Sequence, residues 1–358
     1  MTLADLVAAI VFAGVAVYAL FGGADYGAGL WDLLAGRGHD AAERRHQIDR
    51  SLGPVWEANH VWLIFVLVFL WTGFPAAFAQ LVTTLYVPLA LAAVGIVYRG
   101  AAFAFRKVSP TFRLARWYGA LFAASSVVTP FFLGTVAGGV ASGRVPVSGA
   151  GDPLSSWLNP TSLLGGLLAV GTCAWSAAVL LAADAARAGH AATATWFARR
   201  ALAAGAAVGP VALAGVLVLR RDAPTLAHRL EGRGAPLVLC SAAAAALALW
   251  LLARGRMREA RLPALAAVVA VVAGWGVAQY PWLLVDHLEV AQAAAPRATL
   301  VGLLVAFGGA AVLVVPSLVM LLRLSSRGTL TDGTRSDSSE ALASRLGTRW
   351  TSPDDQPR

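Results

Sequence analysis

The stretch of the chain richest in reactive side chains is Gly53-Pro54-Val55-Trp56-Glu57-Ala58-Asn59-His60-Val61-Trp62-Leu63. Glu57 and His60 are three residues apart, so on a helix they share a face, with Trp56 and Asn59 beside it. A partly desolvated acid next to a histidine is suited to holding and passing a proton. A second stretch, Phe21-Gly22-Gly23-Ala24-Asp25-Tyr26-Gly27-Ala28-Gly29, places one acid among four glycines, where another backbone or a lipid headgroup can approach closely. The alternative is an interfacial belt. In that reading Gly53 and Pro54 open a helix, Glu57 sits on its N-terminal dipole, Trp56 and Trp62 anchor headgroups, and Asp25 is a solvated helix end. Residue chemistry alone leaves both readings open.

The elements that carry these residues follow from composition. Of 358 residues, 58% are hydrophobic and 13% charged, and the mean hydropathy is +0.68. Soluble domains carry about 25% charged residues, so a soluble multidomain enzyme is excluded. Nine apolar runs, near residues 4–24, 54–74, 81–105, 117–140, 160–183, 200–219, 235–253, 263–284 and 300–322, are each long enough to cross a bilayer core of roughly 30 Å. They are continuously apolar, without the alternation of a barrel strand. The expected fold is therefore an all-α polytopic membrane protein with about nine transmembrane helices over residues 1–324. Gly53-Pro54-Val55 recurs as Gly209-Pro210-Val211, which suggests two four-helix bundles plus one peripheral helix. Residues 325–358 are rich in Ser, Thr, Asp and Arg and are expected to form a disordered cytoplasmic tail.

The net charge of +9 rests almost wholly on arginine, Lys107 being the single lysine. In a soluble chain such an excess would suggest nucleic acid. Here 22 of the 28 basic residues fall in alternate connections and the tail, which points to orientation instead. The positive-inside rule puts that side in the cytoplasm, the N-terminus outside and the C-terminus inside, with no nucleic-acid partner. Asp25, roughly 30 Å along a helix from Asp5, falls near the cytoplasmic boundary, level with Glu57 and His60. The middles of the spans look almost bare of charge, as expected where each buried charge costs about 2.5–3.5 kcal/mol. The first segment lacks the positive flank of a signal peptide and is expected to be retained.

Cys173 and Cys240 form no CxxC pair and read as small apolar residues. Besides His60, the histidines are His39, His46, His190, His228 and His287, none expected at matching depth, and the methionines are Met1, Met257 and Met320. No redox metal, and no catalytic residue or metal ligand, is expected in this chain.

Residues 22–78 resemble subunit II of the cytochrome bd quinol oxidases. The resemblance is carried by Gly23-Ala24-Asp25-Tyr26-Gly27-Ala28-Gly29, by Glu43-Arg44-Arg45, and by residues 53–63 followed by Phe74-Pro75. Family members usually have Asp-Gly-Asn where this chain has Glu57-Ala58-Asn59, Glu or Gln in place of His60, and another Asp in place of Gly22. The resemblance implies a haem-free subunit in the bacterial plasma membrane. Its partner, subunit I, would hold the b-type and d-type haems and oxidise membrane quinol while oxygen is reduced. It also implies a proton or water path through Asp25, Glu57, Asn59 and His60, and leaves open a small accessory subunit and a bound quinone or lipid. The rival reading is a stand-alone secondary transporter, which calls for a substrate site near the midplane.

Overall fold

The computed structural model describes residues 2–36, 38–108, 112–147 and 150–326; the side chains of residues 39, 52–58, 106–108, 112, 115, 315, 318–319 and 321–326 lie outside it. The expected tail falls outside the described residues beyond Ser326.

In an apolar solvent every backbone N–H and C=O must be satisfied within the chain, and the long apolar runs accordingly fold as helices. In order these are α1 (Leu3–Leu33), α2 (His39–Gly73), α3 (Pro75–Thr84), α4 (Tyr86–Val108), α5 (Phe112–Ala141), α6 (Pro160–Arg187), α7 (Ala191–Asp222), α8 (Pro224–Glu231), α9 (Ala235–Ala253), α10 (Met257–Gln279), α11 (Val290–Ala293) and α12 (Arg297–Ser326). A hairpin of β1 (Trp282–Leu284) and β2 (Leu288–Glu289) follows α10. Among the described residues, eight helices are long and apolar enough to cross a membrane. A ninth crossing exists if Asn59–Gly73 and Pro75–Thr84, bent by 118°, count as one.

Local sequence sets the ends. Thr2 and Asp5 form a capping box on α1: the Thr2 amide donates to the Asp5 carboxylate at 2.7 Å and the Asp5 amide to the Thr2 hydroxyl at 3.2 Å. The bend at Phe74 precedes Pro75, whose ring keeps the preceding residue out of the helical region. Pro281 ends α10 in the same way, so the expected span 263–284 stops as a helix at Gln279. Pro54, expected to open a helix, lies inside α2, which starts at His39. Residues 39–53 fall between the expected spans 4–24 and 54–74. They are helical, with charge pairs at helical spacing such as Asp40–Arg44 at 3.6 Å.

The helices pack around α6, which touches α1, α5, α7 and α10. Small residues set the closeness: a Cβ on Gly27 of α1 would overlap the Cys173 carbonyl of α6, and Gly134 of α5 and Gly165 of α6 face each other backbone to backbone. Trp31, Phe122, Trp175, Phe197 and Leu251 fill the core, and Trp31 Nε1 donates to the Ala174 carbonyl at 2.8 Å. The outward faces are apolar too, with Val61, Ile64 and Trp71 of α2 and Val97 of α4 exposed, as lipid or a membrane partner requires. The unit described to this point ends at Leu303; Leu304–Ser326 continue α12.

The helices share two polar ends. At one, Arg258 donates to the Ala186 carbonyl at 2.7 Å and Arg261 to Asp184 at 3.1 Å. At the other, Asp222 accepts from Arg144 and Thr161, Tyr280 reaches Asp5, and His287 meets the Gly143 carbonyl at 3.0 Å.

Candidate functional site

The site begins with the glycines of α1. A Cβ at Gly22 would stand 3.3 Å from Asn59 Oδ1 of α2, and one at Gly23 would stand 2.9 Å from Ser176 Oγ of α6. A Cβ at Gly29 would strike Ser126 Oγ of α5 and crowd Arg99 of α4. The missing side chains are what admit polar groups from four neighbouring helices to the same two turns of α1. Asp25 lies in their midst, 1% exposed.

Arg99, also 1% exposed, pairs with Asp25: Nη2 donates to Asp25 Oδ1 at 2.5 Å and to the Asp25 carbonyl at 2.8 Å. Its Nη1 donates to Ser126 Oγ, whose own hydroxyl donates a hydrogen bond to the Phe122 carbonyl at 2.5 Å. The guanidinium lies over the rings of Phe122, at 4.3 Å, and Tyr26, at 5.0 Å. Asn59 Nδ2 donates to the other carboxylate oxygen at 3.3 Å. Tyr26 continues the polar row, its hydroxyl 3.1 Å from that of Tyr18. A charge taken out of water costs several kcal/mol, and here that cost is offset by a direct opposite charge, several hydrogen bonds and two aromatic faces.

Hydrogen-bonding capacity remains. Asn59 Oδ1, Arg99 Nε and Thr129 Oγ1 are buried without a partner among the described residues. Thr129 lies against Gly95, one turn along α4 from Arg99. Unsatisfied buried polar atoms are costly, and ordered water is the usual way they are met.

Asp25 and Asn59 are therefore direct hydrogen-bond partners between α1 and α2. His60 follows Asn59 on α2 and is half-buried. Trp62 is half-buried and edge-on to Phe65, centroids 5.6 Å apart. The backbone of residues 53–58 belongs to α2, and the side chains of Pro54, Trp56 and Glu57 lie outside the described residues, as does any contact of Gly53. Two expectations are corrected. Asp25 is not a solvated helix end, and Arg99, grouped in sequence with the basic connection around Arg106 and Lys107, is a buried residue of α4. The available signal was its place six residues inside the apolar run 81–105.

Two turns further along α1 stands a second buried acid, Asp32, 6% exposed. Asp32 pairs with Arg45 at 3.3 Å, while Arg44 and Arg45 donate to the Ala35 and Gly36 carbonyls at 3.0 and 2.9 Å. These cations cap the C-terminal end of the helix, where the dipole favours them. Among the described residues, no group of three or more His, Cys, Asp or Glu side chains is placed to hold a metal ion.

Residues 3–325 match the profile of the family described as "Cytochrome bd terminal oxidase subunit II". The chain is 29% identical over 172 residues to cytochrome bd ubiquinol oxidase subunit 2 of Bacillus subtilis, a match covering 47% of this chain and 48% of that one. It is 30% identical over 164 residues to cytochrome bd-I ubiquinol oxidase subunit 2 of Escherichia coli, covering 43% of this chain and 41% of that one. The aligned parts thus span under half the length of these curated relatives. In three dimensions the chain superposes on one from the bd oxidase of Geobacillus thermodenitrificans with a TM-score of 0.72 and 26% identity, covering 90% of this chain and 98% of that one. With nearly its whole length matched by the family profile, the chain belongs to the cytochrome bd terminal oxidase subunit II family.

Proposed function

We propose that this chain is the haem-free subunit II of a cytochrome bd-type quinol:oxygen oxidoreductase, in which it stabilises a haem-bearing subunit I. The observation that carries this reading is the fold likeness to a bd oxidase chain over nine-tenths of the length. The chain lies in the bacterial plasma membrane with its N-terminus outside and its arginine-rich end in the cytoplasm. Quinol oxidation then releases protons outward, and protons for oxygen reduction are drawn from the cytoplasm. The b- and d-type haems are held by subunit I. In support, His190 and His287 lie at opposite polar ends of helices about 40 Å long, too far apart to flank one haem.

The buried cluster is the entry for water and protons. Asp25 and Arg99 supply an acceptor and donors at the centre of the helix packing, and Asn59 Oδ1, Arg99 Nε and Thr129 Oγ1 offer unused positions to a water chain. Glu57 and His60 follow on α2 as the groups that take protons from the cytoplasmic side.

The test is quinol-driven oxygen uptake in membranes that contain subunit I with and without this chain. Uptake that requires the chain supports the reading. Full uptake in its absence contradicts it.

A further inference from the structure

At the arginine-rich end, away from the buried pair, the first turns of α7 and the start of α2 form an open cleft of about 390 Å³ lined by Arg44, Thr195, Trp196, Arg199 and Arg200. Three guanidinium groups converge there, and among the described residues no carboxylate lines the cleft. Two of them are held against one indole: Arg200 lies 3.5 Å and Arg44 4.7 Å from the Trp196 ring centroid. Trp196 is itself fixed edge-on to Trp31 of α1, centroids 6.5 Å apart. Arg44 is further anchored on the Ala35 carbonyl, and its Asp40 contact, at 3.6 Å, is to a well-exposed side chain. Arg199 is exposed and directed to the same space.

Like charges brought together repel, and a protein holds them so at a cost that an anion would remove. Guanidinium forks pre-oriented on an aromatic face match the oxygens of a phosphate. The exposed first turn of α7, Ala191 and Ala192, forms one wall of the cleft and adds the positive end of a helix dipole to the guanidinium field. The cleft also opens at the terminus of a membrane-spanning helix beside a tryptophan, the depth at which lipid headgroups lie.

We infer that this cleft binds the phosphate of an anionic phospholipid, with Arg44, Arg199 and Arg200 as its ligands and Trp196 as the platform that holds them. Basic pockets between membrane helices recognise anionic headgroups in this way. Through Trp196 and Trp31 the lipid would brace α7 against α1 two turns from Asp25.

The experiment is native mass spectrometry of the detergent-solubilised complex containing this chain, titrated with phosphatidylglycerol, phosphatidylcholine or inorganic phosphate. The expected result is retention of phosphatidylglycerol in preference to phosphatidylcholine. Retention should fall about tenfold in Arg199→Gln and further in Arg199→Gln/Arg200→Gln, as expected for the loss of charge-assisted hydrogen bonds. Arg113→Gln, an exposed arginine at the same end of the helices outside the cleft, should leave it unchanged. Arg199 is exposed, so its single variant reads binding without threatening the fold. Equal retention of both lipids, undiminished retention in the variants, or binding of inorganic phosphate with no lipid retained would each overturn the proposal.

Discussion

Arg99 of α4 and Asp25 of α1 meet at 2.5 Å, each 1% exposed, in a packing gap that the α1 glycines keep open. A buried pair is seldom a net source of stability, but removing one member leaves an uncompensated charge. Arg99→Leu should therefore lower the stability of the solubilised chain by about 3–5 kcal/mol. The double change Asp25→Asn/Arg99→Leu should recover part of that loss. Thermal unfolding of the three proteins decides it; a double variant less stable than Arg99→Leu would contradict the pairing.

Glycine carries the second expectation. A methyl group at Gly27 meets the Cys173 carbonyl of α6, a backbone atom that cannot swing away, whereas a methyl at Gly119 of α5 meets nothing within 4 Å. Gly27→Ala should destabilise the chain by about 1–3 kcal/mol through overpacking. Gly119→Ala should be neutral or stabilising by up to about 1 kcal/mol, since alanine is the better helix former. Melting temperatures falling for both variants alike would remove the argument for close approach at Gly27.

At the opposite polar end, Asp222 accepts from both Arg144 nitrogens, at 3.1 and 2.6 Å, and from the Thr161 amide and hydroxyl, at 3.0 and 2.6 Å. It thereby ties the segment after α5 to the starts of α6 and α8. Asp222→Asn should cost about 1–3 kcal/mol and expose residues 142–159 to limited proteolysis. The exposed Arg220–Glu231 pair, at 2.6 Å, should be dispensable by the same assay. An Asp222→Asn protein that resists cleavage as well as the parent would show that the tie is not holding this segment.

Glu57 tests the proposed proton route. Glu57→Gln should slow oxygen consumption by the assembled complex at least tenfold, as expected for loss of a positioned proton-transfer group, with Glu57→Asp retaining more. Equal turnover in both variants with intact assembly would exclude a titrating role.

Much of this arrangement was legible in the sequence. An apolar chain with regularly spaced breaks specifies membrane helices, and Asp25 among glycines at the end of such a run marks itself, as does the dense polar segment around Asn59. The bend at Phe74–Pro75 follows from proline chemistry. Arg99 was missed because a cation six residues from the end of an apolar run reads as part of the adjoining basic connection. Its contact with Asp25, 74 positions away, exists only once α1, α4 and α5 pack. Pro54 misled for a local reason. A proline suits a helix start, but α2 continues through it from the charged segment at His39. The arginine cleft was read only as part of a charge count, since its meaning lies in Arg44 and Arg200 flanking the same Trp196 ring.

The central claim, that this chain works as the haem-free half of a terminal oxidase, is tested most directly by one reduced-minus-oxidised absorption spectrum. The sample is the complex purified from native membranes through a tag on this chain. The account predicts b- and d-type haem bands that travel with a second membrane subunit and are lost when that subunit is stripped away. A homogeneous preparation without haem absorption, or haem that stays with this chain alone, would contradict it.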